Sequence, residues 1–196
     1  MKLSALLAAT ALGLMSTAAM AGTYSVTVTN NMDEELLAPI LITDAKYDTE
    51  IFDMSYVTPE AEHQILTGDP AQLAARIGPD AMVGHGTDGP PGVLLAAGKS
   101  VTFEITTEAT SLRVLSMVAP TMVPDNYVSA VIDLGMDGMM AHTLDRFDIG
   151  HDEGTKTVTP VGEAVATVEF HEKMDGMEGM DEMKSMDGME PDEKMN

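Results

Sequence analysis

The chain contains no cysteine and no tryptophan, only four phenylalanines and four tyrosines, and ten basic residues against 32 acidic ones. Each shortage excludes something. Without cysteine there is no disulfide framework, no thiol nucleophile and no acylated cysteine to tether the chain to a membrane. The fold must be held by its core, by a bound ion, or by both. With so few aromatics, that core has to be built from Val, Ile, Leu, Met and Ala. The shortage of basic residues leaves a net charge of −22. Such a chain repels nucleic-acid phosphates and anionic membrane surfaces, and attracts cations and basic partners. Acidity also keeps an exported protein soluble, which accounts for much of the charge but not for carboxylates grouped beside glycines. No G-x-S-x-G, H-E-x-x-H or phosphate-binding glycine loop occurs, and nothing pairs the scattered Ser and His residues, so the reading is non-enzymatic.

What is present begins with an export signal. Met1-Lys2 is a short basic start, Leu3 to Ala19 is nearly all apolar or small, and Ala19-Met20-Ala21 matches an A-x-A cleavage site. Residues 1–21 are therefore expected to be a signal peptide, with the mature protein starting at Gly22 in the periplasm or outside the cell. The leader is short for a membrane span, and no later run is apolar enough to be one. About 175 mature residues suffice for one core.

Residues 22–170 read as one β-rich domain. Tyr24 to Asn30 alternates apolar and polar residues, as does Ser100 to Thr107, where Val101, Phe103 and Ile105 share a face. Leu112 to Ala119 is almost continuously apolar and reads as a central strand. Leu36 to Ile42 is apolar but carries Pro39, which marks an edge or a bulge. Tyr127 to Leu134, Lys156 to Thr159 and Ala164 to Phe170 are further strands. Thr58 to Leu66 and Asp69 to Ile77 read as short helices, the second with Asp69 as N-cap and Pro70 at its first position. Six or seven strands with one or two short helices imply an all-β fold, an antiparallel β-sandwich.

Two loops carry the chemistry. Phe147-Asp148-Ile149-Gly150-His151-Asp152-Glu153-Gly154 has aspartates four residues apart with a glycine after each, and Met117 to Val128 supplies Asp125. Hard cations such as calcium take six to eight oxygens from loops of this kind, and glycine lets the backbone fold round the ion. Asp also favours turns for local reasons, so ordinary solvated turn aspartates are the competing explanation.

Ser116-Met117-Val118-Ala119-Pro120, followed by Asp125-Asn126-Tyr127-Val128, resembles the spondin-domain pattern of an S-M-hydrophobic-hydrophobic-P strand, a loop, then D-aromatic-aromatic-V-G. Phe147 to Gly154 is similar to that family's W-D-A-G-T-D-x-G ending. The departures are a longer first loop, Asn126 for the first aromatic, Ser129 for Gly, and Ile149 and His151 for Ala and Thr. A second register sets Asp152-Glu153-Gly154-Thr155 on D-A-G-T. The resemblance covers about Thr23 to Thr157. It implies a C2-like β-sandwich that binds Ca2+ between loops at one end, with Asp125, Asp148 and Asp152 as ligands and Asp133 as a further one. It also implies adhesion to a protein or glycan ligand in the periplasm or outside the cell.

Residues 171–196 change composition sharply, to Met, Asp, Glu, Lys and Gly, and are expected to be a disordered acidic tail. Met174, Met177, Met180, Met183, Met186 and Met189 recur at every third residue, with His171 ahead of them. A three-residue step circles a helix instead of forming a face, and the interspersed glycines oppose a helix. Thioethers at this spacing are ligands for Cu+ or Ag+, so an alternative function is handling of copper or silver in the periplasm. An oxidisable sink and repeat slippage in a solubilising tail explain the same pattern.

Overall fold

The computed structural model describes residues 21–119, 125–137 and 140–173; the expected signal peptide through Met20 and the methionine array from Met174 onward lie outside the described residues. The strands are β1 (Gly22–Asn30), β2 (Leu36–Leu37), β3 (Ile40–Asp44), β4 (Phe52–Asp53), β5 (Tyr56–Val57), β6 (Met82–Gly84), β7 (Ser100–Thr107), β8 (Ser111–Ala119), β9 (Asn126–Asp133), β10 (His142–Asp148) and β11 (Thr159–Glu172). The helices are short: α1 (Asp48–Ile51), α2 (Pro59–Thr67), α3 (Ala71–Ile77) and α4 (Leu134–Asp137).

The fold is all-β and sandwich-like, and its two layers are halves of one antiparallel sheet. The strand order is β6-β3-β8-β9-β10-β11-β1-β7, with β2 also paired to β8, while β4 and β5 form a separate hairpin. The sheet curls until its edge strands approach. The Phe103 ring of β7 lies against Gly84 of β6, where a Cβ would come within 2.2 Å of it, so only glycine fits. The interior holds Val26 and Val28 of β1, Ile40 and Ile42 of β3, Leu112 and Val114 of β8, and Val168 and Phe170 of β11. Aliphatic residues do most of this filling, as the shortage of aromatics requires.

A second apolar layer lies outside the sheet. Leu41, Leu115 and Tyr127 face outward and are covered by Ile51 of α1, Ala61 and Ile65 of α2, and Leu73 and Ile77 of α3. This explains the almost continuous apolar run of β8, which is buried on both faces. Helix α2 starts at Pro59 and ends at Gly68, whose φ of 76° gives the left-handed cap.

Several boundaries differ from expectation. The Leu36 to Ile42 run is split at Ala38-Pro39 into β2 and β3, as a proline without an N–H requires. Helix α3 starts at Ala71, one residue later than expected, with Asp69 Oδ1 accepting from the Ala71 N–H at 2.9 Å. Lys156 to Val158 is not strand, since β11 begins at Thr159. That strand also runs past Phe170 to Glu172, pairing His171 with Ser25. His171 is therefore part of the sheet, whereas the expected tail began there. Strands β6 and β10 were not anticipated. In β10, His142-Thr-Leu-Asp-Arg-Phe-Asp is too polar to show an alternation, and register shifts around Arg146 break its period.

Candidate metal centre

The two carboxylate loops meet at one end of the sheet. Strand β9 begins where β10 ends, and their register sets Asn126 opposite Asp148. Asp125 stands just before β9. The segment after β10 turns at Ile149, which is fully buried beside the outer helices, and at Gly150, whose φ is +67°. A Cβ at Gly150 would come within 2.0 Å of Thr155 Oγ1, so the turn requires glycine twice over.

Asp125 is the centre of the arrangement. It has no exposed surface. Its Oδ2 accepts from the backbone N–H of His151 at 3.1 Å and of Asp152 at 3.4 Å, and its backbone carbonyl accepts from the Ile149 N–H at 3.2 Å. Asp148 Oδ1 accepts from the Gly150 N–H at 2.6 Å. One carboxylate oxygen from each of Asp125, Asp148 and Glu153 lies within 4.8 Å of the other two. Three carboxylates from two loops form an all-oxygen donor set, which suits a hard cation and not zinc or copper.

A basic residue braces the site from one side. The Arg146 Nε donates to Asn126 Oδ1 at 2.6 Å, and Arg146 Nη1 donates to Glu35 Oε1 at 2.8 Å. The Asn126 amide is thereby turned with Nδ2 toward the acids, 3.3 Å from Asp125 Oδ1 and 3.2 Å from Asp148 Oδ2. This neutral donor offsets part of the repulsion between the two carboxylates.

On the other side the loop is tied to α2. The His151 Nδ1 lies 2.8 Å from Glu62 Oε1, which also accepts from the Tyr56 hydroxyl at 2.6 Å. Hydrogen bonding from Tyr56 holds the Glu62 carboxyl below the usual range, with a further contribution from His151. Burial, followed by the hydrogen bond to Glu62, pushes the Tyr56 phenol up. The His151 imidazole therefore serves as a strut and is not a fourth donor in the acidic cluster.

Of the residues expected from sequence, Asp125 and Asp148 come together. Asp152 contributes its backbone N–H, while the third carboxylate of the cluster is that of Glu153. Asp133 does not join them. It ends β9 opposite Ser111, and its Oδ1 accepts from the Gly135 N–H at 2.8 Å. At about 3.3 Å per residue, the length of β9 separates it from Asp125 by roughly 25 Å. His171 is exposed in β11 with Nε2 3.5 Å from Glu169 Oε2. The six methionines from Met174 to Met189 lie outside the described residues. Asn126, Arg146 and Glu62 were missed, since only the sheet register and the α2 packing bring them to the site.

No family model matches this chain, and no curated protein matches it. The site's reading therefore rests on its own geometry and on the motif resemblance described above.

Proposed function

We propose that the protein is an exported, non-enzymatic, spondin-like module that binds calcium at Asp125, Asp148 and Glu153 and presents that end of the sandwich to a protein or glycan ligand. The observation that carries this reading is the convergence of three carboxylates from two loops around a fully buried Asp125. Burying a carboxylate beside two others is unfavourable unless a cation or enough donors offset it. The backbone N–H groups and Asn126 supply some of that compensation, and a divalent ion would supply the rest. Calcium suits the site better than magnesium, because irregular loops tolerate its variable coordination while magnesium demands a strict octahedron. Backbone carbonyls and water would complete the shell.

A calorimetric calcium titration tests the assignment. The wild-type chain is expected to bind one calcium, and Asp148→Asn to lose most of the affinity. Identical isotherms for the two proteins would remove the site. A second reading is favoured by the methionine recurring at every third residue from Met174 to Met189, which suits Cu+. Deleting the chain after Lys173 should then abolish Cu+ uptake and leave calcium binding intact; unchanged Cu+ uptake would refute it.

A further inference from the structure

A cavity of about 460 Å3 opens where the edge strands β6 and β7 diverge, lined in part by Ala21, Asp44, Lys46, Asp80, Thr106 and Glu108. Three carboxylates thus face one ammonium. That ammonium is already engaged: Lys46 Nζ lies 2.9 Å from Asp44 Oδ2 and 3.2 Å from Asp80 Oδ2. Asp80 also accepts from the Tyr47 hydroxyl at 2.7 Å. Among the described residues, Glu108 makes no side-chain hydrogen bond or ion pair. The cavity therefore carries two more negative than positive charges, and Glu108 is the carboxylate that Lys46 does not reach.

The position facing Glu108 is the expected processing junction. Gly22 pairs with Thr107 in the β1–β7 ladder, so the next step along each strand sets Ala21 opposite Glu108. In the precursor the Gly22 nitrogen is an uncharged amide. Cleavage after Ala21 turns it into an ammonium at the mouth of this acidic cavity. Glycine also suits the position sterically, because a Cβ on Gly22 would come within 2.8 Å of the Tyr24 ring. A larger first residue would have to displace the Tyr24 ring.

We propose that the amino group released by removal of the leader is a structural cation of the mature protein, held by Glu108 at the open seam between β6 and β7. Leader removal then does more than free the chain: it adds a positive charge beside Glu108 and fastens the first strand to the sheet edge. This inference depends on cleavage after Ala21 and is independent of the calcium reading.

The test has two parts. The intact mass of the exported protein must correspond to Gly22 as first residue; any other first residue overturns the proposal. Thermal unfolding is then compared for Gly22–Asn196 with a free amine and with that amine alone acetylated, in the wild type and in Glu108→Gln. Acetylation is expected to lower the wild-type melting temperature by about 2 °C, the effect of one exposed ion pair in a domain of this length. It should have no effect in Glu108→Gln, and the wild-type difference should fade in 1 M salt. No effect of acetylation in the wild type, or an equal loss in both proteins, would overturn the proposal.

Discussion

Replacing Glu153 by glutamine should change stability in opposite directions with and without calcium. In chelator, the variant removes one of three carboxylates that lie within 4.8 Å of one another. Two unit charges at that separation repel by about 0.9 kcal/mol in water, and Glu153 is exposed, so the aqueous dielectric is the appropriate one. Two such neighbours, weakened by moderate salt, give a relief of about 1 kcal/mol. Glu153 accepts no hydrogen bond among the described residues, so nothing offsets that gain. The chelated variant should therefore melt about 2–4 °C above the wild type. With calcium the sign reverses. A carboxylate at about 2.4 Å from a divalent ion contributes about 3 kcal/mol in water, and a replacing water or amide oxygen recovers part of it. Binding should weaken by roughly 10- to 100-fold. The assay is urea unfolding in chelator and in millimolar calcium, with a calorimetric titration beside it. A variant less stable than the wild type by the same amount in both conditions would refute the reasoning, because Glu153 would then be a structural residue and not a ligand.

Three further outcomes follow from the same geometry. Asp125→Ala, unlike Glu153→Gln, should lose about 1–2 kcal/mol in chelator, because the N–H groups of His151 and Asp152 lose their acceptor and this outweighs the relieved repulsion; a variant that resists urea better than the wild type would contradict it. Gln64 is fully buried with neither Nε2 nor Oε1 hydrogen-bonded, so Gln64→Leu should raise stability by about 1–2 kcal/mol, and a measured loss would show that the amide has a role. Tyr56→Phe removes the main cause of the low Glu62 pKa. Because a depressed carboxyl pKa stabilises the fold above its unfolded value of about 4.5 and ceases to do so as pH falls through the folded value, the variant should lose about 1 kcal/mol at pH 7 and converge on the wild type as pH falls below 4.5 and through the folded value. A pH-independent difference would mean that Glu62 is not the partner that matters.

The fold was legible wherever one period dominated. The alternation in β7 predicted that Val101, Phe103 and Ile105 share a face, which packs inward, and the almost continuous apolar run of β8 predicted a central strand, which is buried on both sides. Strand β10 was illegible because its side chains serve the site: Arg146 and Asp148 occupy positions that an ordinary strand would give to apolar or neutral residues. At the site, Asp125 and Asp148 could be picked out because each borders a turn that the sequence marks. The motif resemblance pointed to Asp152, where the structure brings the Glu153 carboxylate to the cluster, because the segment after Gly150 is a turn in which no strand or helix period fixes side-chain direction. Asp133 was pointed to by the motif resemblance alone, and eight residues of extended chain carry it far from Asp125 in space.

The central claim is that the two loops hold calcium, and thermal unfolding of Gly22–Asn196 in chelator and in calcium tests it most directly. Calcium at 100 times its dissociation constant should stabilise the protein by about 2.7 kcal/mol, which raises the melting temperature by roughly 5–10 °C. Superimposable transitions in the two conditions would contradict the account and leave Asp125, Asp148 and Glu153 as an acidic turn held by backbone N–H groups and Asn126.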